Sequence, residues 1–287
     1  GSGIGGTIIS LLVAHESKVP ILVNKTYGIP AFVDSNTLFI ACSYSGNTEE
    51  TLDAVEAAKA RGAQIACITS GGKLARYASD NSWNCIVVPG GNPPRSMLAY
   101  SLTQLFFLLM HYDVIGSSYV SELDAAHKLL LAERGNLEEE GLALTNRLNG
   151  KRIVAYADQT FSGVAERFRQ QINENSKQLC WHHVLPEMNH NELVGWGGGD
   201  NRIGVIVFRN DSDHERTKVR MDLSKGIWEN YTDTVIEVHS KGNSNVERAF
   251  YHILLGDWIS IHMAEANDVD PIEIKVIDYL KSELGKL

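Results

Sequence analysis

Short apolar runs bounded by turn residues recur through the first part of this chain. Pro20-Ile-Leu-Val-Asn24, Leu38 to Cys42, Gln64 to Thr69 and Asn84 to Val88 have the length and composition of buried strands. Between them the pattern changes period. Ile8 to Val13 follows a glycine run and reads as a helix. Thr51 to Arg61 places Leu52, Val55 and Ala58 on one face and ends at Gly62. Ser96 to His111 is a mostly apolar helix, buried on most sides. Strands that alternate with helices predict a parallel sheet covered on both faces.

Residues 117 to 149 differ. Charged residues rise, and Leu123, Ala126, Leu130, Leu137, Leu142 and Leu148 recur at loose helical spacing. The segment reads as a helical connector. The alternation restarts at Lys151 to Tyr156. Then follow helix Val164 to Gln178, strand Ile203 to Phe208, helix Glu215 to Leu223, strand Thr234 to Val238 and a long helix Asn245 to Ala264. The organisation expected is therefore two similar α/β domains, residues 1–116 and 150–287, around the connector 117–149. The repeat is architectural, without clean sequence self-similarity.

Composition narrows the function. With 287 residues, 44% hydrophobic and 21% charged, the chain is of globular type. A net charge of −9 argues against nucleic acid or an anionic membrane as partner. The most apolar run, Leu102 to Met110, is too short to span a bilayer. Cys42, Cys67, Cys85 and Cys180 are widely spaced, and three lie in strand-like runs. They read as reduced thiols of a cytoplasmic protein. The opening Gly1-Ser-Gly-Ile-Gly-Gly6 lacks the strand that such a glycine run normally follows, so further native sequence is expected before it.

The chemistry concentrates at Ser43-Tyr-Ser-Gly-Asn-Thr-Glu-Glu50. Three small hydroxyl residues (Ser43, Ser45, Thr48) and Gly46 occupy a strand-to-helix turn. Such a turn offers backbone N–H groups at a helix N-terminus, which suits a phosphate. The plainer reading is an N-cap turn closed by Asn47 or Thr48. Gly1-x-Gly3-x-x-Gly6 fits a dinucleotide fingerprint, but the next strand ends near Asn24 and Lys25 with no acidic residue for a ribose. Gly90-Gly-Asn-Pro-Pro-Arg95 is a rigid turn that either aims Arg95 into a cleft or leaves it capping the turn or pairing on the surface. Glu174 lies in a predicted helix. Beyond it, residues 181–192 are rich in His, Asn and Glu. A metal site from His182, His183, Glu187, His190 and Glu192, a solvated loop, and an acid–base site compete for this stretch; the spacing matches no standard ligand set.

The turn at Ser43, Ser45, Gly46, Thr48, Glu50 and Thr51 resembles the phosphosugar-binding loop of sugar isomerase (SIS) domains. Glu174 within Asn-Glu-Asn-Ser-Lys and His190 within Asn-His-Asn-Glu are similarly placed to a pair in the bifunctional phosphoglucose/phosphomannose isomerases. This resemblance covers essentially the whole chain. It implies two SIS-type domains, each a flavodoxin-like three-layer α/β/α sandwich. It implies a cytoplasmic aldose–ketose isomerase of glycolysis and gluconeogenesis, without cofactor or metal, and a homodimer with a shared active site. Its phosphate would lie on Ser43, Ser45, Gly46, Asn47 and Thr48, with Gly1 and Ser2 lining the sugar. Glu174 would move the proton between C2 and C1, His190 would open the ring, and Arg95 would offset the enediolate charge. Lys281 would reach the site from a C-terminal helix, with Lys275 as its rival; the family's threonine upstream of that lysine has no clear counterpart. A noncatalytic sugar-phosphate sensor and a glucosamine-6-phosphate isomerase are the alternatives.

Overall fold

The computed structural model describes residues 2–286, and the chain divides into two compact units, 1–119 and 120–287. In the first unit α1 (Ser2–Leu12) precedes β1 (Leu38–Cys42), α2 (Glu49–Ala60), β2 (Gln64–Thr69), α3 (Gly72–Asp80), β3 (Asn84–Val87) and α4 (Leu98–His111). The strands pair in parallel in the order β1-β2-β3, with Ala41, Cys67 and Cys85 in register across the sheet. β2 is central and buried from Ile65 to Thr69. A core of Val55, Ala58, Leu74 and Ala78 covers one face, supplied by α2 and α3.

Two elements here depart from the sequence pattern. Pro20–Asn24 forms no strand: no described backbone pairs with it, and Leu22 is 69% exposed. Apolar composition alone does not make a ladder. Conversely, α3 was hidden, because its two opening glycines and Lys-Arg content mask a face consisting of Leu74 and Ala78.

In the second unit α5 (Tyr119–Leu148) precedes β4 (Arg152–Asp158), α6 (Ser162–Ser176), β5 (Cys180–Leu185), a four-residue helix α7 (Glu192–Gly195), β6 (Ile203–Arg209), α8 (Glu215–Trp228), β7 (Val235–His239), α9 (Asn245–Ala266) and α10 (Lys275–Leu284). The four strands are parallel, in the order β5-β4-β6-β7. Side chains of β4 and β6 bury both faces. Val154, Tyr156, Val205 and Val207 pack with Met188, Trp196, Met221 and Trp228. α9 starts with a full capping box, Ser244 with Glu247. α6 stops at Ser176 rather than Gln178, because Lys177 takes a left-handed conformation (φ 55°). β5 is not visible in the sequence pattern: the stretch from Trp181 leaves a metal site, a solvated loop and an acid–base site open, yet Trp181, His182 and His183 form an edge strand, where one side can stay wet.

All four thiols are free. Burial pushes those of Cys42, Cys67 and Cys180 up to about 12, so they are held as thiols. Among the described residues no helix is long and apolar enough to cross a membrane.

Candidate active site

In the first unit the hydroxyl-rich turn leaves β1 and enters α2. Ser43 is buried, and its Oγ lies 2.8 Å from Thr48 Oγ1. Ser45, Asn47 and Thr48 are exposed. Thr48 holds the N-cap position in an extended conformation and makes no side-chain cap bond. The plain capping reading therefore fails for Thr48: its hydroxyl faces Ser43 instead. Asn47 is committed sideways, its Oδ1 accepting from Lys73 N at 3.0 Å.

Gly46 is fixed by geometry. Its φ is +66°, and a Cβ there would fall 1.9 Å from Gly71 O. The turn thus interlocks with a second glycine-bearing turn, Ser70-Gly71-Gly72, which follows β2. Leu74 N donates to Gly46 O at 2.9 Å.

Tyr44 is the hub that sequence reading missed. Its N–H donates to Ser2 Oγ at 2.9 Å, and its carbonyl accepts from Ser70 N and Ser70 Oγ at 2.9 and 2.6 Å. Its phenol donates to Pro89 O at 2.9 Å and accepts from Asn92 N at 3.2 Å. One residue therefore ties the start of α1, both glycine turns and the Gly90–Arg95 turn together. Ser2 is brought to the backbone of the hydroxyl-rich turn; Gly1 lies outside the described residues. Arg95 sits in a single 3-10 turn, Pro94–Met97, and is buried, at 6% exposed.

In the second unit Glu174 is half-buried near the end of α6. The helix is fastened to α9 by a polar ladder at four-residue spacing. Arg167 Nη2 reaches both oxygens of Asp257 at 3.0 and 2.8 Å, Gln171 Nε2 donates to Asp257 Oδ1 at 2.9 Å, and Asn175 Nδ2 donates to Ser260 Oγ at 2.9 Å. Burial raises the Asp257 carboxyl, while Arg167 and Gln171 pull it back. Ser176 Oγ donates to Ser260 O, and Asn267 Nδ2 to Ser176 O, closing the helix end. Gln171, Asn175 and Ser176 are thus structural, and Glu174 between them is the carboxylate turned off the ladder.

His190 ends a 3-10 turn, Glu187–His190, after β5, and is exposed. The other histidines of that stretch are engaged: His182 Nδ1 accepts from Arg169 Nε at 3.1 Å, and His183 Nδ1 from Val184 N at 2.7 Å. Among the described residues no three His, Cys, Asp or Glu side chains converge as a metal-ligand set. Lys281 and Lys275 both lie on α10, which buries none of its residues. A pocket of about 490 Å3 opens in this unit between Tyr156, Trp181, Glu192 and Trp196, and its lining includes neither Glu174 nor His190.

A parallel sheet with a hydroxyl-rich turn at a helix N-terminus, met twice in outline and once with the hydroxyls, defines the class. Residues 23–110 match the SIS domain, and residues 137–284 match the bacterial phospho-glucose isomerase C-terminal SIS domain. A solved structure shares the fold. The C-terminal domain of glucosamine-fructose-6-phosphate aminotransferase from Francisella tularensis superposes with a TM-score of 0.78 at 15% identity, over 94% of this chain and 83% of that one.

At the level of sequence, a bifunctional phosphoglucose/phosphomannose isomerase of Caldicellulosiruptor bescii is 38% identical over all of this chain and 88% of its own length. One from Aquifex aeolicus is 37% identical over the same shares. The chain belongs to the bifunctional phosphoglucose/phosphomannose isomerase family.

Proposed function

We propose that this protein is an isomerase that interconverts glucose 6-phosphate and mannose 6-phosphate with fructose 6-phosphate through a cis-enediol intermediate. The observation that carries this reading is the pairing of Ser43 with Thr48 in an exposed turn at the N-terminus of α2, in a chain related over its full length to enzymes of that name. The phosphate dianion takes the hydroxyls of Ser43, Ser45 and Thr48 and the N–H groups around Gly46 and Asn47; Ser2 lines the sugar beside them.

His190, with Lys281, passes the proton that opens the pyranose. Glu174 then takes the proton from C2 and returns it at C1. Arg95, permanently charged, offsets the charge on the enediolate oxygens. The planar enediol has lost the C2 stereocentre, so one carboxylate serves both epimers. No step needs a metal or a redox cofactor. The protein works in the cytoplasm, in glycolysis and gluconeogenesis, as a homodimer with a shared active site.

A coupled assay of the purified protein with each 6-phosphate sugar tests the reading directly. Turnover of both aldoses to fructose 6-phosphate is expected, unchanged after prolonged dialysis against a strong chelator. Turnover of glucosamine 6-phosphate with neither hexose phosphate accepted would sink it, and loss of activity on chelation, restored by zinc, would return the histidine stretch to a metal role.

A further inference from the structure

The segment that carries His190 leaves β5 and runs over the sheet face to β6. Most of it is wet: His190, Asn191, Val194 and Gly195 are exposed. Two apolar anchors hold it, Met188 and Trp196, which are 0% and 5% exposed and share one core cluster with Tyr156 and Trp228. The polar residues around His190 each have an engagement of their own. Asn189 Nδ2 donates to Ser224 Oγ on α8 at 2.9 Å, and Asn191 Nδ2 to Glu187 Oε1 at 3.0 Å. Glu192 goes further: its Oε1 accepts from the phenol of Tyr156, in the middle of β4. That phenol also accepts from Trp196 Nε1 at 3.0 Å. Tyr156 is 0% exposed and stacks on Trp228 with ring centroids 4.7 Å apart.

A rigid strand therefore grips the excursion at both ends of α7 through one buried oxygen. A phenol buried without an acceptor is costly, so the arrangement is selective for one position of the segment. We propose that Tyr156 is a positioning residue for the isomerase reaction: its bond to Glu192 sets where the His190 imidazole is presented. The inference rests on the ring-opening role given to His190 above.

Tyr156→Phe removes the oxygen and keeps the ring stack. Turnover of glucose 6-phosphate is expected to fall about 5- to 30-fold in kcat, with KM within about threefold, because the phosphate turn is in the other unit. Turnover of a tetrose 4-phosphate, which cannot close a pyranose, should stay within about twofold. The decisive measurement is a double-mutant cycle with His190→Ala. If Tyr156 acts through His190, Tyr156→Phe adds less than about twofold to the His190→Ala defect. A merely structural role would lower kcat by the same factor in both backgrounds and for both substrates, and that result overturns the proposal.

Wild-type turnover by Tyr156→Phe beside a slow His190→Ala overturns it while leaving the role of His190 standing. Wild-type turnover by His190→Ala overturns both. Glu192→Ala leaves the tyrosine in place and carries the same cycle if Tyr156→Phe does not fold. Glu192→Gln, which still accepts from the phenol, should recover most of the Glu192→Ala loss.

Discussion

Two turns in this molecule are built alike and filled differently. One follows β1 and leads into α2; the other, Asn210 to His214, follows β6 and leads into α8. The first offers hydroxyls: Ser43 and Thr48 face each other, and no carboxylate precedes Glu49. The second supplies its own anion. Asp213 Oδ2 accepts from Asn210 N at 2.8 Å and Oδ1 from Asn210 Nδ2 at 3.1 Å, and Asp213 is 4% exposed. His252 from α9 closes the turn from behind, its Nε2 donating to Asn210 Oδ1 at 3.1 Å. An internal carboxylate thus occupies donors that a phosphate would need, and its charge would repel one. The same strand–turn–helix frame leaves its hydroxyls open in one unit and is plugged by a carboxylate in the other. On this reading each chain holds one phosphate, in the first unit, and the second unit is left to supply acid–base groups.

The sharpest way to test that division of labour is at its chemical end. Glu174→Gln keeps shape and hydrogen bonding but cannot take a proton. We expect kcat for glucose 6-phosphate and mannose 6-phosphate to fall together by at least ~10²–10⁴-fold, with binding of a sugar-phosphate inhibitor retained. Near-normal turnover by folded protein would remove Glu174 from the role and leave Glu187 and Glu192 as the carboxylates to examine.

The binding end should respond in the opposite parameter. Thr48→Ala or Ser43→Ala deletes a donor to a dianion, a bond worth about 1.5–3 kcal/mol, so KM should rise roughly tenfold to a hundredfold with a smaller change in kcat. Ser212→Ala, in the plugged turn, should change neither by more than about twofold. A KM effect at Ser212 equal to that at Thr48 would break the comparison.

Much of this architecture is legible in the chain alone. The β1 turn was legible because Gly46 and the hydroxyls sit between a strand and a helix of unmistakable period. The central strands were legible because both their faces are apolar. What failed did so for nonlocal reasons. Pro20–Asn24 has strand composition, but a strand is a pairing, and its pairing is not written in those residues. The edge strand β5 carries Trp181, His182 and His183 and so lacks the continuous apolar run of a buried strand. The ladder Arg167, Gln171 and Asn175 could have been noticed as a polar stripe at four-residue spacing, but its partners Asp257 and Ser260 lie on α9, some ninety residues further on. Tyr44 and the Ser70–Gly72 turn gave no signal at all, because nearly every bond they make has a backbone group at one end, which residue identity does not reveal.

The smallest effect, and one that touches stability rather than turnover, lies in the plugged turn. Burial and the nearby Asp158 push the Asp213 carboxyl up to about 6, against the bonds from Asn210. Burial pushes the His252 imidazole down to about 3. Asp213 is raised above its unfolded value of about 3.9, so its contribution is fully present below that pH and is lost as pH rises through about 6. His252 is depressed below its unfolded value of about 6.5, so its contribution is present above that pH and is lost as pH falls towards about 3. Between about pH 4 and 6 the two slopes oppose each other, each at most about 1.4 kcal/mol per pH unit, and largely cancel. Asp213→Asn removes one of them. It also sets an amide against Asn210 Nδ2, a cost that does not vary with pH, so the slope and not the absolute stability is the readout. Urea unfolding of Asp213→Asn should show stability falling by about 2–3 kcal/mol from pH 6.5 to 4.5, where the parent chain falls distinctly less. Parallel pH profiles for the two proteins would mean that the Asp213 carboxyl is not raised by its burial in the folded turn.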